Sequence, residues 1–263
     1  MESYLEKLEG WFQQHTGALV AFSGGVDSSL VAFLARRYLG RDRVLALISA
    51  SPSLKVSDLE DARSFARNND IPLKIIMTRE IENPDYFENP KNRCYFCKHS
   101  LYDHLVDQRK ETPGWSILNG TNLDDLGDYR PGLKAADEFK VHSPLADCGI
   151  DKTRVRELAE LFALSCWDKP ASPCLASRVP YGQQVTVEKL KQVEHAENYL
   201  SAQGFKTNRV RHYGELARIE VPLADLNTLK GMHTELANKF SEIGFETIEI
   251  DAEGFISGKL NQI

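Results

Sequence analysis

The sequence predicts an α/β protein with a parallel sheet, followed by a small α+β domain. The first part of this prediction rests on short apolar runs that alternate with helical patterns over residues 1–180. Alternation of this kind requires crossover connections, which give a parallel sheet covered by helices on both faces. The second part rests on a change of pattern near Tyr181-Gly182, after which residues 181–263 combine helices with short alternating strands.

The individual elements follow from the periodicity of apolar residues. In the first domain, apolar runs predict strands at Ala18 to Phe22, Val44 to Ile48, Leu73 to Met77 and Trp115 to Asn119. Between them, helical spacing predicts helices at Asp27 to Leu39, Lys55 to Asn68 and around Leu101 to Gln108. In the second domain we expect helices from Thr186 to Gln203 and from Leu223 to Ile243, with strands at Arg209 to Tyr213, Leu216 to Val221, Thr247 to Ile250 and Phe255 to Ser257.

Composition narrows the functional class. The 263 residues carry a net charge of -6, which argues against a broad nucleic-acid surface because phosphate binding needs a basic excess. The sequence contains no apolar run of the length that a membrane span needs, and its first residues lack the pattern of a secretory signal. We therefore expect a cytoplasmic protein whose partner is a small molecule, with neither nucleic acid nor membrane. Five cysteines in such a protein indicate metal binding or chemistry rather than disulfides.

A glycine- and serine-rich loop joins the first strand to the first predicted helix. Its sequence is Ser23-Gly24-Gly25-Val26-Asp27-Ser28-Ser29. Glycines let the backbone approach an anion, and the helix N-terminus supplies free N–H groups and partial positive charge. The Walker pattern is absent from the sequence, and the order S-G-G-x-D-S resembles the PP-loop of ATP pyrophosphatases. That resemblance implies ATP and Mg²⁺, with Asp27 as a candidate metal ligand; Asp27 could instead be a first-turn acid that favours the helix dipole.

Three cysteines stand in contexts that suggest chemistry. Cys94 and Cys97 form a C-x-x-C, a pattern compatible with half a zinc site, a redox pair or part of an iron–sulfur site. Cys174 follows two prolines and precedes Arg178, whose positive charge would favour the thiolate form. Cys148 and Cys166 are interpreted as small core residues.

Taken together, these motifs resemble the LarE family of sulfur transferases, which act in the synthesis of a nickel-pincer nucleotide cofactor used by lactate racemase. The similarity extends over nearly the whole chain. The segments that carry it are the PP-loop, Gly120-Thr121-Asn122-Leu123-Asp124-Asp125, Asp128-Tyr129-Arg130-Pro131-Gly132, Cys174-Leu175-Ala176-Ser177-Arg178 and Arg209-Val210-Arg211.

The resemblance implies a defined reaction. ATP adenylates a carboxylate of pyridinium-3,5-biscarboxylic acid mononucleotide, and sulfur then displaces AMP to give a thiocarboxylate. In one branch of the family a single cysteine surrenders its own sulfur, whereas another branch carries three cysteines that resemble a [4Fe–4S] site. Because Cys94, Cys97 and Cys174 are all present, the chain is similar to the three-cysteine branch. Sacrifice of Cys174 and a zinc site completed by His99 or Cys166 are the alternatives.

Further site residues are implied by the same resemblance. Arg209 and Arg211 alternate on a strand, so both point to one face, where they would bind the phosphate or carboxylates of the substrate. Glu197 and Glu220 match acidic positions near an anion or metal site. Gly120, Asp128, Arg130 and Arg178 are expected in the nucleotide and substrate pocket. The resemblance also implies a homo-oligomer, with a hexamer as one form.

Other functions compete with this interpretation. A tRNA thiolase also combines a PP-loop with three cysteines, but it needs a basic surface that an acidic chain does not suggest. An ammonia-dependent ligase of the NAD or GMP synthetase type does not call for the three cysteines. A nucleotide-binding regulatory module with structural zinc is the non-enzymatic possibility.

Overall fold

The computed structural model describes residues 2–127, 130–170 and 172–256. Within them the strands are β1 (Ala18–Ala21), β2 (Val44–Ser49), β3 (Leu73–Ile76), β4 (Ser116–Leu118), β5 (Arg209–Tyr213), β6 (Leu216–Glu220) and β7 (Thr247–Ile250). The helices are α1 (Glu2–Gln13), α2 (Val26–Leu39), α3 (Val56–Asn68), α4 (Pro84–Phe87), α5 (Arg93–Glu111), α6 (Pro131–Glu138), α7 (Pro144–Asp147), α8 (Lys152–Leu161), α9 (Val187–Ala202), α10 (Leu226–Gly231) and α11 (His233–Ile243). None of the described helices is long and apolar enough to span a membrane.

The chain forms two compact units. The first comprises Met1–Glu80 and Asn92–Ser172, and the second comprises Ile81–Lys91 and Pro173–Ile263. Residues 81–91 belong to the second unit because their backbone and side chains bind its first residues. The Asn89 side chain donates to the carbonyls of Val179 and Pro180, and the Val185 N–H donates to the Phe87 carbonyl. The division therefore lies at Ser172/Pro173, with an excursion at 81–91, whereas the sequence suggested 180/181.

The first unit is an α/β layer structure around a parallel sheet, as the apolar runs predict. Its strand order is β3-β2-β1-β4, and all three pairings are parallel. The central strand β1 is buried along its whole length because helices cover both faces of the sheet. One hydrophobic core lies between one face of the sheet and helices α1, α2, α3 and α8. The other lies between the opposite face and helices α5 and α6. The carboxyl ends of β1 and β4 are thereby neighbours at one edge.

The second unit is α+β. Strand β5 pairs antiparallel with β6, and β6 pairs parallel with β7, so the order is β5-β6-β7. The Thr186 hydroxyl caps α9 by accepting from the Lys189 N–H, as expected for the predicted helix start. The core of this unit lies between α9, α10, α11 and the sheet.

Two predicted elements in the second unit differ from the structure. The helix expected from Leu223 to Ile243 is interrupted: a 3₁₀ turn leads into α10, which ends at Gly231, and α11 starts at His233. Gly231 explains the break, because glycine is a poor helix former. Phe255 donates its N–H to the Val221 carbonyl but lies outside any strand, and Ser257 of that predicted strand lies outside the described residues.

A buried histidine in this unit generates a prediction about acid stability. His212 on β5 is 2% exposed, faces the Gln192 amide and packs on Phe245. Burial lowers the pKa of His212 to about 4. The unfolded chain takes up this proton near the usual pKa of about 6.5, so folding stability is lost as pH falls from about 6.5 to about 4, by on the order of 3 kcal/mol. In His212→Gln, urea unfolding at a series of pH values should show a smaller loss over that interval.

The matched control is His195→Gln, which replaces an exposed histidine of α9 in the same unit. Its stability should keep the acid dependence of the parent chain. Equal pH slopes for the parent and His212→Gln would show that His212 does not govern the acid limb.

Candidate functional site in the phosphate-binding loop and the cysteine segments

The loop after β1 has the geometry of an anion cradle. Gly24 takes a positive φ of 72°, which glycine adopts without strain. A Cβ at this position would lie 3.0 Å from the Ala62 Cβ, so the loop runs directly over the first turns of α3. Gly25 is the N-cap of α2 and has no side chain to occupy the helix end. The first N–H groups of α2 therefore face the loop, where an anion is favoured.

The serines of this loop hold its shape. The Ser28 hydroxyl accepts from the Ser23 N–H at 3.1 Å, donates to the Gly25 carbonyl at 3.1 Å and lies 3.0 Å from the Ser23 hydroxyl. Ser29 is fully buried on α2. The Ser23 hydroxyl also accepts from the Gly25 N–H at 3.4 Å. These bonds preorganise the loop, so phosphate binding needs little further ordering.

Gly120 brings a second loop against the first. A Cβ at Gly120 would lie 2.6 Å from the Ser28 backbone nitrogen, a separation that no side chain could accept. Only glycine therefore allows the segment after β4 to approach the start of α2. A place for Gly120 in the nucleotide pocket stays a prediction, and this contact shows why the position requires glycine.

Asp27 is the junction of three chain segments. Its Oδ1 accepts from the Asn122 side-chain amide at 3.0 Å, and its Oδ2 accepts from the Lys152 ammonium at 2.6 Å. Lys152 is the first residue of α8, where a positive charge opposes the helix dipole. That unfavourable position marks Lys152 as a residue whose charge is needed at this edge. Sequence reasoning missed it, although a lysine directly after the N-cap Asp151 was the available signal.

Arg130 extends the same network. Its guanidinium lies 2.7 Å from Asp125, whose other oxygen accepts from the Asn122 N–H at 3.1 Å. Asn122 thus connects the Arg130 pair with Asp27. The Arg130 side chain is half-exposed, so it is accessible to a ligand at this edge. Asp128, the other predicted pocket residue of this segment, lies outside the described residues.

Cys94 and Cys97 occupy the first turn of α5. They are three residues apart on one helix, so their sulfurs project from neighbouring positions on one face. Cys94 is exposed and Cys97 is partly exposed, which makes both available to a ligand. The sequence placed the helix only around Leu101 to Gln108, but α5 begins at Arg93 and includes the pair.

Cys174 combines an exposed side chain with a firmly held backbone in the second unit. Its carbonyl accepts from the Ser177 N–H at 2.9 Å and from Arg178 Nη1 at 3.0 Å, and the same Nη1 donates to the Pro173 carbonyl at 2.6 Å. Arg178 is completely buried, and its Nε and Nη2 bind both oxygens of Glu197. Arg178 therefore fixes the backbone that presents the Cys174 thiol.

A cluster of arginines and glutamates lies beside this segment within the second unit. Arg211 binds both oxygens of Glu220 at 2.9 Å, and it donates to the Ser177 carbonyl. Arg209 lies on the same strand face, and burial together with nearby Arg178 lowers its pKa. A lowered pKa means that positive charge is disfavoured there, so an anion beside Arg209 would relieve the unfavourable electrostatics. Glu197 and Glu220 are both neutralised by arginines, so a metal ion on them would have to displace a guanidinium.

The remaining cysteines are buried. Cys148 and Cys166 are 7% and 6% exposed, and burial raises the pKa of both thiols, that of Cys148 to about 11. They are core residues, as expected. Taken unit by unit, the described residues contain no group of three His, Cys, Asp or Glu side chains that could hold a metal ion. The predicted cluster would take Cys94 and Cys97 from the first unit and Cys174 from the second.

The parallel sheet, the glycine- and serine-rich loop at the carboxyl end of β1 and the facing Gly120 loop define a PP-loop ATP-using enzyme. In agreement, residues 4–89 match the NAD synthase family. The chain is 45% identical to an uncharacterised protein of Synechocystis, which it matches over 100% of its own length and 98% of that protein. It is 35% identical to the pyridinium-3,5-bisthiocarboxylic acid mononucleotide synthase of Lactiplantibacillus plantarum, over 92% of this chain and 88% of the synthase.

The chain therefore belongs to the LarE family, because similarity at this level extends along nearly the whole of both proteins. It is an ATP-using enzyme of the sulfur-transferase class.

Substitution of Gly120 tests the loop geometry. In Gly120→Ala the methyl group would press on the Ser28 nitrogen, displace the start of α2 and lower ATP-dependent pyrophosphate release by about tenfold or more, since small misplacements of reacting groups are costly. The control is Gly127→Ala, because a Cβ at Gly127 meets no atom within 4 Å. Pyrophosphate release at saturating and limiting ATP measures the effect. Equal activity of the two variants would contradict the tight contact.

Proposed function

We propose that this enzyme adenylates a carboxylate of pyridinium-3,5-biscarboxylic acid mononucleotide and replaces the adenylate with sulfur, giving a thiocarboxylate for nickel-pincer cofactor synthesis. Whole-length similarity to a synthase of the bisthiocarboxylic acid mononucleotide carries the proposal. The accessibility of Cys94, Cys97 and Cys174, set against two buried thiols, supports it. Residence in the cytoplasm and assembly into a homo-oligomer stay predictions.

The first chemical step is activation of a poor electrophile. A carboxylate oxygen of the substrate attacks the α-phosphorus of ATP, the bond to the bridging oxygen breaks, and pyrophosphate leaves with the electron pair. In this proposal the first N–H groups of α2 would bind the leaving phosphates, while the Ser23 and Ser28 hydroxyls hold the loop in shape. Asp27 now accepts from Lys152 at 2.6 Å; a Mg²⁺ bound to the phosphates would take the place of that ammonium on Asp27, and Lys152 would add positive charge at the same edge.

The second step is displacement of AMP. A sulfur nucleophile attacks the carbonyl carbon of the acyl adenylate, the carbon–oxygen bond to AMP breaks, and AMP leaves with the electron pair. A [4Fe–4S] cluster on Cys94, Cys97 and Cys174 would supply a transferable sulfide, since three thiolates leave one iron without a protein ligand. The exposed Cys94 and Cys97 on one face of α5 fit two ligands of this kind.

The exposed and backbone-anchored Cys174 also suits a sacrificial version of the same reaction. Here the Cys174 sulfur attacks the adenylate and AMP leaves with the carbon–oxygen electron pair, giving a thioester. A base then removes the Cys174 Cα proton, the Cα–H electron pair forms the Cα=Cβ bond of dehydroalanine, and the Cβ–sulfur bond breaks so that the thiocarboxylate leaves with its electron pair. Mass spectrometry of the Cys174 peptide after turnover separates the two versions. An intact Cys174 with continued product formation supports the cluster, and a dehydroalanine at this position supports sacrifice.

Cysteine variants test the division of labour. Cys174→Ala should abolish thiocarboxylate formation yet retain pyrophosphate release, because the phosphate-binding loop is built from other residues.

Anaerobically purified parent protein should be brown and contain iron, and Cys94→Ala should lose that iron. Cys148→Ala is the control, since it removes a buried thiol and should cost stability but not the colour. Parallel loss of both activities in Cys174→Ala, or colourless protein that holds zinc, would contradict the assignment.

The arginine cluster gives a test of substrate binding. Arg209→Gln should raise the KM for the nucleotide acceptor by about tenfold to a hundredfold with little change in the KM for ATP, because a charge-assisted hydrogen bond to an anion is worth about 1.5–3 kcal/mol. Arg218→Gln is the control: Arg218 lies on the neighbouring strand β6 and binds Glu249. An unchanged acceptor KM in Arg209→Gln would remove Arg209 from the substrate site.

A further inference from the structure

The last residues of the first unit, which precede Cys174 in the chain, are bound to α3 through Lys169 and Ser172. The Lys169 ammonium lies 3.0 Å from Asp58 and 3.0 Å from Asp61, both on α3. The Ser172 hydroxyl donates to the other Asp58 oxygen at 3.1 Å. Asp58 therefore binds two residues of the segment through its two carboxylate oxygens.

The Asp58–Lys169 ion pair is more protected from solvent than the Asp61–Lys169 ion pair. The Asp58 side chain is 17% exposed and that of Lys169 is 23% exposed, whereas the Asp61 side chain is 66% exposed. Partly buried ion pairs escape most of the screening that makes surface pairs weak. Burial lowers the pKa of Lys169, but its bonds to Asp61 and Asp58 outweigh that effect and leave the pKa raised. The ion pair is therefore intact at neutral pH.

The backbone of the same segment is held from a second side. Arg156 on α8 donates to the Trp167 carbonyl at 2.7 Å and to the Lys169 carbonyl at 3.0 Å. Residues of α3 and α8 therefore both bind this segment: α3 binds the Lys169 and Ser172 side chains, and α8 binds the Trp167 and Lys169 carbonyls.

Asp58 also lies at the phosphate-binding loop itself. A Cβ on Gly24 would be 3.6 Å from the Asp58 carbonyl oxygen, so the backbone that carries the carboxylate touches the loop that binds the nucleotide. Cys174 follows Ser172 by two residues, and two residues of extended chain span at most about 7 Å. If Ser172 were released and the next anchor were Lys169, Cys174 would be five residues further along the chain and could lie up to about 17 Å from that anchor.

We propose that Asp58 and Lys169 are positioning residues, and that their ion pair, with the Ser172 bond, fixes the end of the first-unit segment that leads along the chain to Cys174. The inference rests on the proposed role of Cys174 in sulfur transfer. Neither residue touches the reacting atoms. An acyl adenylate can react either with sulfur or with water, and we expect the two residues to raise the fraction that reacts with sulfur. The physical reason is that a shorter free chain before Cys174 raises the effective concentration of its thiol.

The decisive measurement is the number of thiocarboxylates formed per pyrophosphate released. In Asp58→Asn and in Lys169→Met we expect this ratio to fall about fivefold or more, with pyrophosphate release within about twofold of the parent. In the double variant the ratio should fall by less than the product of the two single effects, since both substitutions remove the Asp58–Lys169 interaction. Asp61→Asn is the matched control and should keep the parent ratio, because its carboxylate is exposed.

Hydrogen exchange supplies a readout that does not depend on the reaction. In Asp58→Asn, amides of residues 166–178 should exchange at least about threefold faster, while α11 keeps its parent rate. If the parent releases pyrophosphate but forms no thiocarboxylate, the proposed function fails, and the exchange rates still decide whether Asp58 positions the segment. A parent-like ratio in a folded Lys169→Met, or unchanged exchange in Asp58→Asn, would overturn the positioning role.

Discussion

The close approach of two backbone segments at the edge of the parallel sheet is the constraint on which the nucleotide site depends. Gly120 meets the Ser28 nitrogen at a distance that excludes any side chain, and Asp27 then joins the Gly120 segment and α8 through Asn122 and Lys152. Parallel strands place the ends of β1 and β4 side by side, which makes this contact possible. The loop is therefore held in shape by its own hydrogen bonds, with the start of α2 at the carboxyl end of β1.

The second unit uses charge in a different way. The guanidinium of Arg178 is buried with Glu197, an arrangement in which loss of one partner costs about 3–5 kcal/mol, although the pair as a whole adds little net stability. Its remaining donors bind the carbonyls of Pro173 and Cys174. The role of the pair is to hold the backbone of Cys174, the residue that carries the exposed thiol, in one position. Burial of a positive charge next to a cysteine thus serves the geometry of the chain more directly than the electrostatics of the thiol.

Local patterns predicted the fold well, and long-range partners could not be predicted. The run before Ser23 and the helical spacing after Asp27 are local signals, and the structure confirms β1 and α2 to within one residue at each end. The start of α5 was missed because Arg93 to Phe96 carry no apolar periodicity. Lys152 and Lys169 were missed for another reason: their carboxylate partners lie 125 and 108 or more residues away in sequence, and only the folded chain brings such pairs together. The arginine pairs have the same origin, since nothing local to Arg178 indicates Glu197.

Sulfur transfer after adenylation requires that sulfur reach the acyl adenylate before water does. The bonds of Arg178 and those of Asp58 both restrict the chain next to Cys174. An acyl adenylate reacts with water as well as with sulfur, so the enzyme gains only if the sulfur source is held near the activated carbonyl for the lifetime of the intermediate. Within the second unit Arg178 binds the Cys174 carbonyl, and within the first unit Asp58 binds Ser172 and Lys169. Each anchor reduces the conformational entropy that the chain must lose when the thiol side chain takes up its working position. An exposed thiol on a constrained backbone is consequently accessible to a cluster or a substrate and yet limited in the volume it can sample.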